Sequence, residues 1–459
     1  MRATFATFAL CVCFFATFAG AQEEDFPILF TNVHVFDGVN EQRIENANVL
    51  VVDNLIVEVS SEPLAVANAQ IIDGGGRTLM PGLIDSHVHI NMYKDGTLPD
   101  LANTTWEEIG ARAAAFGQEM LAMGFTTIRD MCGAHDGLKR VIDQGLLPGP
   151  RIYLAGGCIG QTSGHGDWGL AGQRKGESNL EMLELTRTVD GRAEVLEAGR
   201  RNFALGAHFL KIMVSGGVTS IKDPLFLSGF TDDEIRAAVE TAEDWNSYVA
   251  MHVFVDYDLD RALDLGVMVV DHGLTIKEPT MQKMVEKGAF FSPNLTALAS
   301  EALAHPMHQD PSFPPTAKFM SLREDSKQLT DLIKKYRPKM VFNSDYVLLT
   351  GVPYRQSMDF TKFHVAREFG NLWALQMMTS IGGELAEFTG LSNPYSEGKL
   401  GVIEEGAYAD ILIVDGNPLE DIMVIGANEK WFDAEPRGQD VPSIRMIMKD
   451  GVIYKNTLD

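Results

Sequence analysis

The stretch Pro81-Gly-Leu-Ile-Asp-Ser-His87-Val-His89-Ile90 is an apolar segment that ends in two histidines one residue apart. In a β-strand, residues i and i+2 point to the same side, so His87 and His89 can present both imidazoles to one point. Two imidazoles make half of a tetrahedral metal site. The pair alone also fits two ordinary surface or core histidines, so the metal interpretation needs further ligands from the rest of the chain.

Size and charge restrict the classes of protein to be considered. The chain has 459 residues, of which 45% are hydrophobic, and this is ample for one large barrel or two domains. Its net charge is -25 and its pI is about 4.8. A strongly acidic protein repels phosphate backbones, so nucleic acid is not an expected partner.

Residues 1–21 have the composition of a cleavable secretory signal. Arg2 is their only charged residue, an apolar stretch follows, and Ala19-Gly20-Ala21 offers a small-residue cleavage site. The apolar stretch is short for a membrane anchor, and no later segment looks transmembrane. The sequence therefore predicts a periplasmic or secreted protein with no stable membrane span. Cys132 and Cys158 remain after cleavage, and whether they pair is left open.

The mature chain divides into three zones. Residues 22–80 and 394–459 are strand-like and rich in turns, whereas residues 81–393 alternate short apolar strands with helical patterns. Eight candidate strands in the middle zone predict an α/β fold, a (β/α)8 TIM barrel with a parallel sheet. We expect the two terminal zones to pair into one small β-sandwich domain.

Polar residues stand at the ends of several predicted barrel strands. In such barrels the chemistry lies at the C-terminal ends of the strands, so these residues are expected to share one site. They are His87 and His89 on the first strand, Lys211 on the fourth, His252 on the fifth, Asp271-His272 on the sixth, and Asn343-Ser344-Asp345 on the eighth.

Lys211 is unusual because it lies within the apolar strand Phe209-Leu-Lys-Ile-Met-Val214. A buried, unpaired ammonium costs several kcal/mol, so one interpretation is a structural pair with a nearby acid. The other is a lysine whose amine reacts with CO2 to form a carbamate, a carboxylate that can bridge two metals. Burial lowers the pKa of a lysine, so more of it is present as the neutral, nucleophilic amine that reacts with CO2. The four histidines and the aspartate at the neighbouring strand ends favour the carbamate.

Taken together, these motifs resemble the amidohydrolase superfamily of metal-dependent hydrolases over essentially the whole mature chain. Within it, the chain looks most similar to prolidase-type dipeptidases and ochratoxinase-like amidases, through Ser163-Gly-His165-Gly-Asp167 and Ser215-Gly-Gly-Val218. Neighbours of three ligands depart from the family pattern. They are Met251-His-Val-Phe-Val255 in place of Ala-His-x-x-Gly, Asp271-His272 in place of Glu-His, and Asn343-Ser344-Asp345 in place of Gly-Thr-Asp.

The resemblance implies a binuclear site with Zn2+ as the family precedent. His87, His89 and Asp345 would hold the more buried metal, His252 and His272 the second, and the CO2-derived carbamate on Lys211 would bridge them. A hydroxide shared by the two metals would attack the substrate carbonyl. Asp345 would accept its proton and pass it to the leaving amine.

Four further residues are substrate-binding candidates. His165, which is also a catalytic candidate beside Asp345, lies in a glycine-rich loop after the third strand and would donate to the carbonyl oxygen or a terminal carboxylate. Gly216 and Gly217 would let the backbone approach the substrate closely, and Tyr346 would line the pocket. The long insertion at about residues 295–325 is expected to form part of a lid or an oligomer contact.

The predicted function is hydrolysis of the amide bond of dipeptides, Xaa-Pro included, or of N-acyl amino acids, with ochratoxin-like amides fitting the same chemistry. The nearest alternative is a cyclic amide or lactone hydrolase of the imidazolonepropionase or dihydroorotase type. A non-catalytic scaffold is the alternative from another class, but such proteins lose ligands and this sequence has the full set. Relatives of this type are often homo-oligomers, which the resemblance implies here.

Overall fold

The computed structural model describes residues 27–170, 172–305 and 308–458 of the chain. The predicted signal sequence, residues 1–21, lies outside the described residues, together with Cys11 and Cys13. Among the helices that are described, none is long and apolar enough to cross a membrane. The fold can therefore be followed from the first strand, which begins at Ile28, to the last, which ends at Asn456.

Strands dominate both ends of the described chain and alternate with helices between them, as the sequence predicts. The strands are β1 (Ile28–Val35), β2 (Ile44–Val52), β3 (Leu55–Ser60), β4 (Gln70–Pro81), β5 (Leu83–Val88), β6 (Phe125–Asp130), β7 (Arg151–Leu154), β8 (Cys158–Gly160), β9 (Thr186–Thr188), β10 (Leu210–Met213), β11 (Val249–Val253), β12 (Val269–His272), β13 (Phe290–Ser292), β14 (Lys339–Met340), β15 (Ile411–Val414), β16 (Ile444–Lys449) and β17 (Val452–Asn456). The helices are α1 (Leu98–Leu101), α2 (Trp106–Ala122), α3 (Asp136–Asp143), α4 (Asn179–Met182), α5 (Arg192–Ala204), α6 (Asp232–Asp244), α7 (Asp256–Asp264), α8 (Glu278–Glu286), α9 (Pro314–Asp325), α10 (Leu329–Tyr336), α11 (Gly351–Phe369), α12 (Asn371–Met377) and α13 (Ser380–Glu387).

Local signals place two of the helices that pack on the central strands. Thr231 caps α6 in a reciprocal capping box, in which the Glu234 side chain reaches back to the Thr231 backbone N–H at 2.8 Å. Thr105 caps α2 by accepting a hydrogen bond from the Glu108 backbone N–H. Such caps satisfy amides that have no partner inside the helix. Both helices therefore begin where the sequence predicts.

Strands from both ends of the chain share one seven-stranded sheet, in the order β17-β16-β15-β4-β1-β2-β3. Only β1 and β4 pair in parallel, and the other neighbours are antiparallel. One buried cluster includes Phe30, Val49, Ile411 and Met446, so residues far apart in sequence form a common core. The described strands of the two ends form this single hydrogen-bonded sheet, and the predicted sandwich is not confirmed.

The middle of the chain forms parallel sheets, which confirms the predicted α/β class. One sheet has the order β14-β13-β12-β11-β10-β8-β9 and the other has the order β5-β6-β7. The fold is similar to a TIM barrel, but the prediction of one closed eight-stranded ring needs correction. The chain bends at Gly156-Gly157, so β7 pairs with β6 while β8 pairs with β10. A Cβ at Gly157 would lie 2.8 Å from the Glu184 carbonyl oxygen, so only glycine fits this bend.

A few backbone hydrogen bonds and one disulfide join the edges of the two parallel sheets. On one side the Ser86 amide donates to the Phe342 carbonyl at 2.9 Å, and on the other the His208 amide donates to the Leu154 carbonyl at 2.7 Å. Cys132, just after β6, is bonded to Cys158 at the start of β8. This settles the pairing that the sequence left open, and it brings the strand ends of both sheets to one place.

Arg151, at the start of β7, connects the central strands to the terminal sheet. Its guanidinium lies 3.2 Å from Asp410 and 2.6 Å from Asp450, and it stacks 3.9 Å above the Tyr408 ring. Arg151 and Asp410 are almost completely buried. Removing one partner would leave the other charge buried and unpaired, which is far more costly than losing a surface pair.

We expect Arg151→Ala to lower the free energy of unfolding by about 3–5 kcal/mol. Arg192→Ala is the matched control, because Arg192 pairs with Glu240 at an exposed site and its loss should cost less than about 1 kcal/mol. Urea unfolding followed by circular dichroism measures both values. Equal losses in the two variants would show that Arg151 does not hold the terminal sheet in place.

Candidate metal centre and active site

The residues at the predicted strand ends converge on one cavity of about 110 Å³. They come from both parallel sheets, because β5 belongs to one and β10, β11 and β12 belong to the other. The cavity is lined by all six predicted metal ligands and by His165, namely His87, His89, His165, Lys211, His252, His272 and Asp345. The structure therefore brings together the side chains that the sequence places at the ends of the barrel strands.

The histidine pair and Asp345 have the spacing expected around a single ion. His89 Nε2 lies 3.0 Å from Asp345 Oδ1 and 3.2 Å from His87 Nε2, and His87 Nε2 lies 3.3 Å from Asp345 Oδ1. Two ligand atoms that each lie about 2.1 Å from one tetrahedral zinc ion are separated from each other by roughly 3.4 Å. These three atoms could bind one metal after only small shifts.

The tautomer of His87 also favours a cation at this point. His87 Nδ1 lies 3.0 Å from the Asp271 carboxylate, which can only accept, so Nδ1 carries the proton. Its Nε2 then has a lone pair directed toward Asp345 Oδ1. A carboxylate that fixes the orientation of a histidine in this way is typical of metal sites.

His252 and His272 form the other side of the cavity. Their rings are 4.5 Å apart, and His272 Nδ1 lies 3.6 Å from Asp345 Oδ2. Donor atoms of His87, His272 and Asp345 all lie within 4.8 Å of one another and form a group that could hold a metal ion. His272 and Asp345 have left-handed backbones, with φ of 71° and 50°, an uncommon conformation that often marks functional sites.

Lys211 is fully buried and forms an ion pair in its unmodified form. Its Nζ lies 2.7 Å from Asp271 Oδ2, while Asp271 Oδ1 also contacts Arg129 at 3.3 Å. This is the structural pair that the sequence left open as one interpretation. Burial lowers the pKa of Lys211, although the Asp271 carboxylate acts in the opposite direction. The lysine still lines the cavity beside the histidines, where a carbamate would be placed.

The ionisation states of the cavity suit metal binding. Burial lowers the pKa of His87 to about 4 and that of His272 to about 3, so both imidazoles are neutral at pH 7. Burial acts to raise the pKa of Asp345, but His87 and His89 outweigh it and hold the pKa well below its usual range. Neutral imidazoles with a carboxylate are a donor set that zinc accepts, so the residues fit the predicted ion.

His165 is held against the metal ligands by a network from another part of the chain. Its ring stacks on His252 at 4.2 Å, and its Nδ1 lies 2.7 Å from Ser220 Oγ. Buried Asp223 lies 3.6 Å from the same Nδ1, and Lys318 on α9 donates to the carbonyl of Ser220 at 2.7 Å. The network fixes the ring at the wall of the cavity.

Three of the predicted substrate-binding residues are not among those that line the histidine-rich cavity. A Cβ on Gly217 would lie 2.0 Å from the His165 ring, so this glycine makes room for His165. The carbonyl of Gly216 lies 3.2 Å from His252 Nε2. Tyr346 lines a neighbouring cavity, and its hydroxyl is hydrogen-bonded to Thr361 at 2.7 Å. The structure thus gives the glycines roles in positioning histidines.

Sequence reasoning missed Asp223 and Lys318 and gave Asp271 no separate role. Asp271 stands next to His272, and strand alternation would direct the two side chains to opposite faces. The positive φ of His272 breaks that alternation, so both side chains reach the same site. Asp223 and Lys318 lie in a loop and in the insertion, and no local pattern connects them to His165.

Comparison with known proteins gives relatives of nearly full length. Ochratoxinase from Aspergillus niger is 26% identical over 447 residues, which cover 90% of this chain and 84% of that protein. A crystal structure of a prolidase complexed with N-methylphosphonate-L-proline is 32% identical, with a TM-score of 0.80, covering 94% of this chain and 100% of that one. A Xaa-Pro dipeptidase with bound methionine in its active site is 25% identical, with a TM-score of 0.76 and the same coverage.

The model of the amidohydrolase family matches residues 78–453, which span both parallel sheets and the cavity. This match and the relatives confirm the predicted superfamily, its prolidase-like and ochratoxinase-like branch, and a hydrolase acting on amide bonds. The family is generally metal-dependent, which agrees with the donor group of His87, His272 and Asp345. The chain belongs to the amidohydrolase family.

Proposed function

We propose that the protein is a binuclear, metal-dependent amidohydrolase that cleaves the amide bond of dipeptides, Xaa-Pro included, or of N-acyl amino acids. One observation carries this proposal. Five histidines, one aspartate and one buried lysine line a single small cavity at the ends of parallel strands. Such convergence of titratable groups is costly to bury unless the groups bind something.

The residues present fit two divalent ions, with Zn2+ as the expected metal. His87, His89 and Asp345 would hold one ion, His252 and His272 the other, and a carbamate on Lys211 would join them. When bound, the ions would polarise the substrate carbonyl and make water a nucleophile at neutral pH.

Residues of the chain itself would transfer protons and orient the substrate. The Asp345 carboxylate would accept a proton from the attacking water and donate it to the nitrogen of the leaving amine. His165 would donate a hydrogen bond to the substrate carbonyl or carboxylate, since the network around Ser220 and Asp223 holds its ring in place. Fixed donors of this type act without reorganisation during the reaction.

The named relatives support the substrate class. A prolidase and a Xaa-Pro dipeptidase share the fold over 94% of the chain, and ochratoxinase is similar over 90%. Ochratoxin-like amides therefore remain within the proposed class. We also propose export through the signal at residues 1–21, which the buried disulfide between Cys132 and Cys158 supports, because disulfides persist mainly in oxidising compartments. Assembly as a homo-oligomer is a further part of the proposal.

Metal analysis combined with a substrate screen tests the proposed function. We expect zinc-replete protein to contain about two ions per chain and to release amino acids from dipeptides or N-acyl amino acids. His252→Ala should lose one of the two ions. His34→Ala is the matched control, because His34 lies on β1 beside Glu45, and it should retain both. Protein without metal, or protein that hydrolyses ring substrates only, would contradict the proposal.

A further inference from the structure

A second cavity of about 210 Å³ opens beside the metal cavity and is nearly twice its size. The two cavities share His272 and Asp345, which form a common rim. Val218, Phe254 and Val347 also line both. A substrate whose amide lies at the rim would therefore extend one of its ends directly into the second cavity, which we call the side chamber.

The walls of the side chamber come from three distant parts of the chain. Leu274 follows β12, Phe319 and Leu322 lie on α9 in the predicted insertion, and Trp431 comes from the C-terminal segment. The indole N–H of Trp431 donates to Ser357 Oγ at 2.9 Å, so its ring is fixed and its polar atom is satisfied. Phe319 stacks against His308 with ring centroids 3.6 Å apart. The chamber is thus lined mainly by apolar side chains, of which Trp431 and Phe319 are held by these contacts.

Charge further defines what the side chamber can accept. None of the described residues that line it is a lysine or an arginine, and its one acidic residue is Asp345 at the rim. A charged group placed in the chamber away from this rim would lose its hydration without gaining an ion-pair partner, whereas an apolar group would gain from burial. The chamber therefore favours an uncharged and bulky group.

We propose that the side chamber binds an aromatic or large aliphatic side chain of the substrate while the scissile amide lies at His272 and Asp345. This inference rests on the proposed amide hydrolysis and specifies its substrate. The side chain can belong to either residue flanking the amide, and the chemistry of recognition is the same in both cases. Specificity then depends on the insertion and on Trp431 rather than on the metal ligands.

The first test compares Phe-Gly, Gly-Phe and Gly-Gly on zinc-replete protein. We expect kcat/KM for one of the two phenylalanine dipeptides to exceed that for Gly-Gly by at least about 100-fold, since single methylenes in apolar pockets are worth about 10–200-fold. The preferred dipeptide identifies the side of the amide that enters the chamber. Replacing its phenylalanine by glutamate or lysine should abolish the advantage. Equal rates for all of these dipeptides would overturn the inference.

The second test fills the side chamber. Ala297 lines it and is only partly buried, so Ala297→Phe should lower kcat/KM for the preferred dipeptide at least about tenfold and leave that for Gly-Gly within about twofold. Ala304→Phe is the matched control, because Ala304 is exposed and outside the chamber, and it should change neither value. Parallel losses for both substrates in Ala297→Phe would count against the chamber.

A binding measurement separates this inference from the proposed function. Calorimetry with L-phenylalanine and with N-acetyl-L-phenylalanine, on protein with and without zinc, should detect binding that Ala297→Phe weakens and Ala304→Phe does not. If no amide is hydrolysed but this binding pattern holds, the proposed function fails and the chamber stands. If amides are hydrolysed without the size preference and the pattern is absent, the chamber fails and the proposed function stands.

Discussion

Lys211→Ala is expected to lower kcat/KM for the best dipeptide substrate by at least about 10³-fold, and short carboxylic acids are expected to restore part of the loss. The reason is that a carbamate on Lys211 would supply a carboxylate between the two metal positions, and alanine leaves an empty space there. Loss of several kcal/mol of transition-state stabilisation corresponds to factors of this size. Formate, acetate and propionate are small enough to occupy the space.

Lys211→Arg distinguishes the carbamate from the ion pair that the structure contains. Arginine retains a cation for Asp271, which lies 2.7 Å from Lys211 Nζ, but it cannot form a carbamate at neutral pH. We expect this variant to be as inactive as Lys211→Ala and to contain less metal. Lys327→Ala is the surface control, because Lys327 is exposed, and it should behave as wild type. An active Lys211→Arg would assign Lys211 a purely structural role.

Asp271 would keep partners after such a modification. Carbamate formation would change the charge on Lys211 from positive to negative and remove the attraction at Asp271 Oδ2. Asp271 Oδ1 would still accept hydrogen bonds from His87 Nδ1 at 3.0 Å and from Arg129 at 3.3 Å. The orientation of His87 thus depends on an oxygen that the modification does not use.

The convergence of the six proposed ligands could be predicted from the sequence because several of them carry a local signal. His87 and His89 obey strand alternation, and Lys211 is conspicuous within an apolar strand. Parallel strands place their C-terminal ends on one face, so the members of the set must meet. This geometric rule does not depend on the loops, and the structure places all six residues around one cavity.

The remaining features depend on contacts that no local pattern records. The third predicted strand, Arg151–Ala155, is followed by a bend at Gly156-Gly157 and by the extra strand β8, and the backbone of Glu184 leaves no space for a side chain at Gly157. Trp431 reaches the side chamber from the C-terminal segment, more than 80 residues after Asp345 in the sequence. Lys318 reaches the carbonyls of Gly217 and Ser220, in the loop after β10, from the insertion. Each of these positions follows from tertiary packing rather than from local propensity.

Asp345→Asn is expected to fold normally, to retain metal, and to lose about 10²–10⁴-fold in kcat. Asparagine has nearly the same shape and can keep an oxygen near His89 Nε2, which lies 3.0 Å from Asp345 Oδ1. It has no basic site, however, so it cannot accept the proton of the attacking water or return it to the leaving amine. The measurements are kcat on the best dipeptide, metal content and thermal unfolding.

Two comparisons make this prediction specific to proton transfer. Asp331→Asn removes an exposed carboxylate on α10 and should leave kcat unchanged. Esters with a good leaving group need no protonation of the departing atom, so Asp345→Asn should lose less activity on such an ester than on the corresponding amide. Near-wild-type kcat in Asp345→Asn with both metals bound would remove Asp345 from the acid–base role. Equal losses on ester and amide would limit Asp345 to activating the attacking water, because only that step is common to both reactions.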